Sequence, residues 1–169
     1  MSTKFFNNGL GNTLFDKLKG IASEMATFDR FLAVVGFFRS SGYFKLRKEL
    51  GDISEIKILV GINIDDIFRK HNKALLMLAD EEKAKEIYHN GFKDDIVNAQ
   101  YSPEVEEGIL QMCEDLVSSR LQMRIHATKK LHAKFYLCLP QNHSEHSDGW
   151  VIMGSSNISD SGLGIKQPP

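Results

Sequence analysis

The run 31–38, Phe-Leu-Ala-Val-Val-Gly-Phe-Phe, holds no charged or polar side chain and is rich in branched and aromatic ones. Such a run suits a strand covered on both faces, so the chain must build a sheet around a middle strand at this position. Ser40, Ser41 and Gly42 then break the pattern, and 43–50 reads as a short helix closed by Gly51. A second strand follows at 55–62. Strand, helix and strand in this order pair in parallel.

Residues 13–25 place Leu14, Phe15, Leu18, Ile21, Ala22 and Met25 on one stripe, with Asn12 or Thr13 as the cap, and predict an opening amphipathic helix. Between about 65 and 120 strand signals stop and a helical insert is expected, with helix starts at Asp80 and at 102–104. Its last helix carries Val105, Ile109, Met112, Cys113, Leu116 and Val117 on one face, which predicts that Met112 and Cys113 belong to the core. Three strand patterns follow at 121–126, 131–139 and 150–155, the last two joined by a polar loop at 140–149 as a hairpin. His143 and His146 in that loop read as solvated side chains. The expected fold is α/β: one domain over 1–169 with a mixed sheet of about five or more strands flanked by helices.

Composition sets limits on function. With 42% hydrophobic and 25% charged residues the chain is globular rather than disordered. Its apolar runs fall well short of the roughly 20 residues that span a bilayer, so no membrane association is expected. No secretory signal pattern is seen at 1–6, which makes a cytoplasmic location the expectation. Cys113 and Cys138 form no C-x-x-C pair, so neither zinc nor redox chemistry is implied. A net charge of −1 neither draws the chain to nucleic acid nor excludes a local basic cleft.

Chemistry concentrates near the C-terminus. In the strand pattern 131–139 a period of two places His132, Lys134, Tyr136 and Cys138 on one face and the apolar residues on the other. The next strand ends in Gly154-Ser-Ser-Asn157, which offers a hydroxyl from Ser155 and an amide from Asn157 at the same spacing. If the hairpin pairs, these polar groups converge. Lys134 and Asn157 can hold the non-bridging oxygens of a phosphodiester, Ser155 can add a hydrogen bond, and His132 is free to attack phosphorus.

An H-x-K strand followed by G-S-x-N, here His132, Lys134, Gly154, Ser155 and Asn157, resembles the phospholipase D superfamily. The wording Leu-His-Ala-Lys-Phe-Tyr and Gly-Ser-Ser-Asn-Ile-Ser-Asp-Ser-Gly-Leu is most similar to the nuclease-like domains found at the head of helicases and in some restriction endonucleases. The resemblance implies a phospholipase D-like sheet, a phosphohistidine formed at His132, phosphate held by Lys134 and Asn157 with support from Ser155, and neither metal nor cofactor. Leu139 stands where the family usually has an aspartate. One copy of the motif is present where family sites use two, which implies a homodimer or a second motif elsewhere in a longer protein, of which this chain is expected to be an N-terminal fragment.

DNA is the expected substrate. Arg39, at the end of the first strand, and Arg124, Lys129 and Lys130, ahead of the motif, are candidates for its backbone, with Gly154 and Ser156 beside the phosphate and His126 in the same basic stretch. Two alternatives stay open: a phosphodiesterase acting on phospholipid, and a non-catalytic DNA-binding or dimerisation module.

Overall fold

The computed structural model describes residues 5–7, 9, 11–24, 28–61, 102–126 and 131–165. Their elements are α1 (Leu14–Glu24), β1 (Phe28–Val35), α2 (Ser40–Leu50), β2 (Glu55–Gly61), α3 (Pro103–Val117), β3 (Leu121–His126), β4 (Phe135–Pro140), β5 (Trp150–Met153) and α4 (Asp160–Leu163). The strands form one open mixed sheet in the order β3-β2-β1-β4-β5, with β1 in the middle as its sequence predicts. β1, β2 and β3 are parallel, while β4 joins β1 antiparallel and pairs with β5 as the expected hairpin. The carboxyl ends of β1, β2, β3 and β5 therefore share one edge of the sheet with the start of β4. Among the described residues no helix is long and apolar enough to cross a membrane.

Local signals set the helix ends. Thr13 Oγ1 accepts the Asp16 N–H at 3.0 Å and the Asp16 carboxylate accepts the Thr13 N–H at 2.9 Å, a reciprocal cap that starts α1. Ser102 accepts the Val105 N–H and Pro103 occupies the first turn of α3, as expected. α2 begins at Ser40, earlier than the sequence suggests. Gly42 is not a break there but a contact, since a β-carbon on it would lie 2.7 Å from Ser159 Cα. The expected insert is described only from residue 102; the start at Asp80 lies outside the described residues.

The core lies on one face of the sheet. Phe31, Ala33 and Val35 of β1, Ile56, Ile58 and Val60 of β2, and Tyr136 and Cys138 of β4 are buried with Leu14, Leu18, Tyr43, Leu46, Met112 and Leu163 from the helices. On the opposite face Leu32, Val34, Leu59 and Leu137 are partly exposed, so β1 is less evenly covered than its composition suggests.

The expected faces of 131–139 need correction as well. Tyr136 and Cys138 do not share a polar face with His132; they are core residues. The Tyr136 hydroxyl is satisfied by donating to the Ser156 carbonyl at 2.7 Å, and burial pushes the Cys138 thiol up to about 12, which keeps it neutral.

α3 is the second correction. Met112 is buried, but Cys113, Leu116 and Val117 are exposed, and the buried stripe instead contains Gly108 and Asp115. A polar network pins this rotation. Asp115, fully buried, accepts from Arg47 Nε at 2.7 Å, Tyr43 Oη at 2.8 Å, Arg120 Nη1 at 3.2 Å and Gln111 Nε2 at 3.3 Å. Burial alone would raise its pKa, but the hydrogen bonds from Arg47 and Tyr43 outweigh it and hold the carboxyl below the usual Asp range. Helical periodicity counts apolar side chains and cannot foresee that a carboxylate will claim the buried face.

Candidate functional site

Two glycines open the shared edge of the sheet. Val35 of β1 is in register with Val60 of β2, so Gly36 and Gly61 follow side by side. A β-carbon on Gly61 would lie 2.7 Å from Leu131 Cβ and 2.8 Å from the Leu131 carbonyl oxygen; one on Gly36 would lie 3.1 Å from that same oxygen. Leu131 lies over this pair, and any side chain at either position would lift it. His132, Ala133 and Lys134 are thus laid across the ends of the strands, ahead of β4 rather than within it.

Lys134 and Asn157 meet above Gly36. The missing β-carbon would stand 3.2 Å from Lys134 Nζ and 3.6 Å from Asn157 Oδ1. Lys134 Nζ donates to the His132 carbonyl at 2.7 Å, which uses one of its three donors. The Phe37 N–H donates to Asn157 Oδ1 at 3.0 Å. Because an N–H needs an acceptor, this bond fixes the amide's orientation and, among the described residues, leaves the Asn157 Nδ2 donors for another partner.

The loop after β5 brings Asn157 here. The Gly154 N–H donates to the Lys134 carbonyl at 3.1 Å, extending the hairpin toward the edge. The chain then crosses to the extension of β1, where Phe38 bridges Ile158 in parallel and the Arg39 N–H donates to the Ile158 carbonyl at 2.8 Å. Gly162 is pressed against the Asn157 carbonyl, so α4 braces the turn from behind. α2 starts at Ser40 beside this turn, and its N-terminal end adds positive potential to the same edge.

The other expected site residues fall into three groups. His132 and Ser155 are exposed at the edge, and Gly154 lies in the same turn with Phe6 against it. Ser156 is buried; its carbonyl takes the Tyr136 hydroxyl, so the residue supports the turn from within the core. Arg39 lies at the carboxyl end of β1 as expected, with its guanidinium carbon 4.2 Å above the Phe37 ring.

Arg124 is exposed on β3, in register with Leu59 and so short of the edge. Lys129 and Lys130 lie outside the described residues. His143 and His146 stand exposed in the loop before β5, His143 Nδ1 at 3.0 Å from the Ser147 hydroxyl.

Gly36, Phe37 and Gly61 were not among the expected site residues. Their signal is a glycine at the same point of two parallel strands, Val-Val-Gly-Phe and Leu-Val-Gly-Ile, which marks a chain crossing both. No protein-family model matches the chain, and no match is found among curated proteins.

Proposed function

We propose that this chain is a phosphodiesterase domain of the phospholipase D type that acts on DNA. The observation that carries this reading is the meeting of Lys134 Nζ and the oriented Asn157 amide above Gly36, a paired donor set for a phosphate's non-bridging oxygens. Exposed His132, whose carbonyl holds Lys134, is the nucleophile. Its ring nitrogen displaces one ester oxygen to give a phosphohistidine, and water later cleaves the P–N bond. Ser155 adds a hydroxyl at the same edge. In this reading no metal is required, and Arg39 extends the contact to neighbouring phosphates.

The test is cleavage of end-labelled DNA in excess chelator by the wild type and by His132→Ala and Lys134→Ala, with phospholipid vesicles as the parallel substrate. Chelator-resistant DNA cleavage lost in both variants is expected. Cleavage that survives His132→Ala rules the mechanism out, and turnover of the vesicles alone moves the substrate class to lipid. DNA retention with steep salt dependence and no turnover would mark a binding module.

A further inference from the structure

Phe38, not Phe37, carries the first strand on into the core. Phe31, Ala33 and Val35 alternate into the buried face, so the next residue in phase would be Phe37. Instead the chain bends at Gly36, and Phe38, 3% exposed, takes the core position with its ring centroid 6.0 Å from that of Tyr43. Phe37 is left partly exposed at the carboxyl edge of the sheet.

The backbone on either side of this ring is pinned. The Phe37 N–H donates to Asn157 Oδ1 at 3.0 Å, Phe38 bridges Ile158, and the Arg39 N–H donates to the Ile158 carbonyl at 2.8 Å. The ring therefore belongs to the residue that touches one half of the phosphate donor pair. The Arg39 guanidinium carbon stands 4.2 Å from the ring centroid, so an aromatic and a guanidinium group sit together beside Lys134 and Asn157. These are the two kinds of flat surface on which unstacked bases settle, because every base has a π-face.

Resting on the phosphodiesterase reading above, we infer that Phe37 and Arg39 form the platform for the nucleobase beside the phosphate held by Lys134 and Asn157, and that the DNA taken at this edge is single-stranded. In a duplex the same base is paired and stacked between its neighbours, and bringing it to the platform would cost that stacking. The pinned backbone lowers the ordering cost of binding, since the ring's residue is already held in place. Stacking tolerates any base, so the platform selects strand state and not sequence. Arg39 can serve phosphate and base together, because its N–H groups lie in the guanidinium plane and its stacking faces lie across it.

Abasic DNA separates stacking from phosphate contact. An oligothymidylate and a strand of equal length whose central sugars carry no base present the same phosphates, so a base platform tells them apart and a phosphate site does not. Binding is measured by fluorescence anisotropy with the full chain carrying His132→Ala, which keeps the strands intact, and cleavage is measured with the wild type. The oligothymidylate is expected to bind about 5–100-fold more tightly than the abasic strand. Adding Phe37→Leu should bring the two affinities to within about twofold of each other, with the salt slope of binding unchanged because the phosphate contacts remain. Phe37→Tyr should keep the discrimination. The wild type should cleave the oligothymidylate at least about tenfold faster than a blunt duplex.

Equal affinity for the two strands, discrimination that survives Phe37→Leu, or a duplex cleaved as fast as the single strand overturns the platform; the first of these needs no substitution at Phe37. Cleavage of the oligothymidylate in those cases leaves the phosphodiesterase reading standing. Discrimination that Phe37→Leu abolishes, in a chain that cleaves no DNA, supports the platform and brings down the phosphodiesterase reading. Neither binding nor cleavage of any strand overturns both.

Discussion

Two polar clusters in this molecule use similar residue types in opposite ways. Around Asp115 a carboxylate is fully buried and meets two arginines, a tyrosine and a glutamine. Above Gly36, among the described residues, a lysine and an amide each make one bond to the backbone, with further donors for a partner. The first cluster is closed and joins α3 to α2. Among the described residues the second keeps donors beyond its bonds to the backbone, which is what binding an anion requires. Whether a polar group's hydrogen bonds are completed within the chain distinguishes a structural cluster from a candidate site here, more clearly than burial or charge does.

This contrast predicts that disrupting the two clusters will have separable effects. The largest is at the open one: His132→Ala should lower DNA cleavage by about 10⁴-fold or more with an unchanged melting temperature. Loss of melting temperature in step with activity would make His132 structural. Next comes the closed cluster. Asp115→Ala should cost about 3–5 kcal/mol of stability in denaturant titration, because Arg47 is left as a buried unpaired charge.

The same carboxyl gives an acid signature. Its pKa is lower in the folded chain than in the unfolded one, so its stabilisation is present above the ordinary Asp pKa and is lost as pH falls through the lower folded value. Asp115→Asn should remove that acid limb.

Asn157→Asp separates the two bonds of a single side chain. It keeps an acceptor for the Phe37 N–H but turns an anion donor into a second anion, so cleavage should fall by about 10²–10³-fold at near wild-type stability. The smallest effect is expected at Val117, 88% exposed on α3, where Val117→Ser should change stability by no more than about 0.5 kcal/mol.

Much of this arrangement was legible in the sequence, for identifiable reasons. β1 is legible because a branched and aromatic run has few alternatives to a central strand, β2 because it completes a strand, helix, strand unit, and the helix starts at Asn12 or Thr13 and at Ser102 because cap bonds are local. The hairpin that brings Lys134 to Gly154 followed from two strand patterns around a polar loop. Long-range contacts escaped. The buried role of Asp115 depends on Arg47, 68 residues away in the chain, and the bond from Phe37 to Asn157 spans 120 residues. Tyr136 and Cys138 went to the core rather than to the site because strand alternation gives the period but not which face the helices cover.

Capture of the covalent intermediate tests the central claim most directly. The full chain is mixed with a labelled oligonucleotide in excess chelator, quenched in alkali, which preserves phosphohistidine, and digested for mass spectrometry. The account predicts a phosphoramidate adduct on His132, absent from His132→Ala. DNA cleavage by the wild type with no adduct during turnover, or with an adduct on another residue, would contradict it.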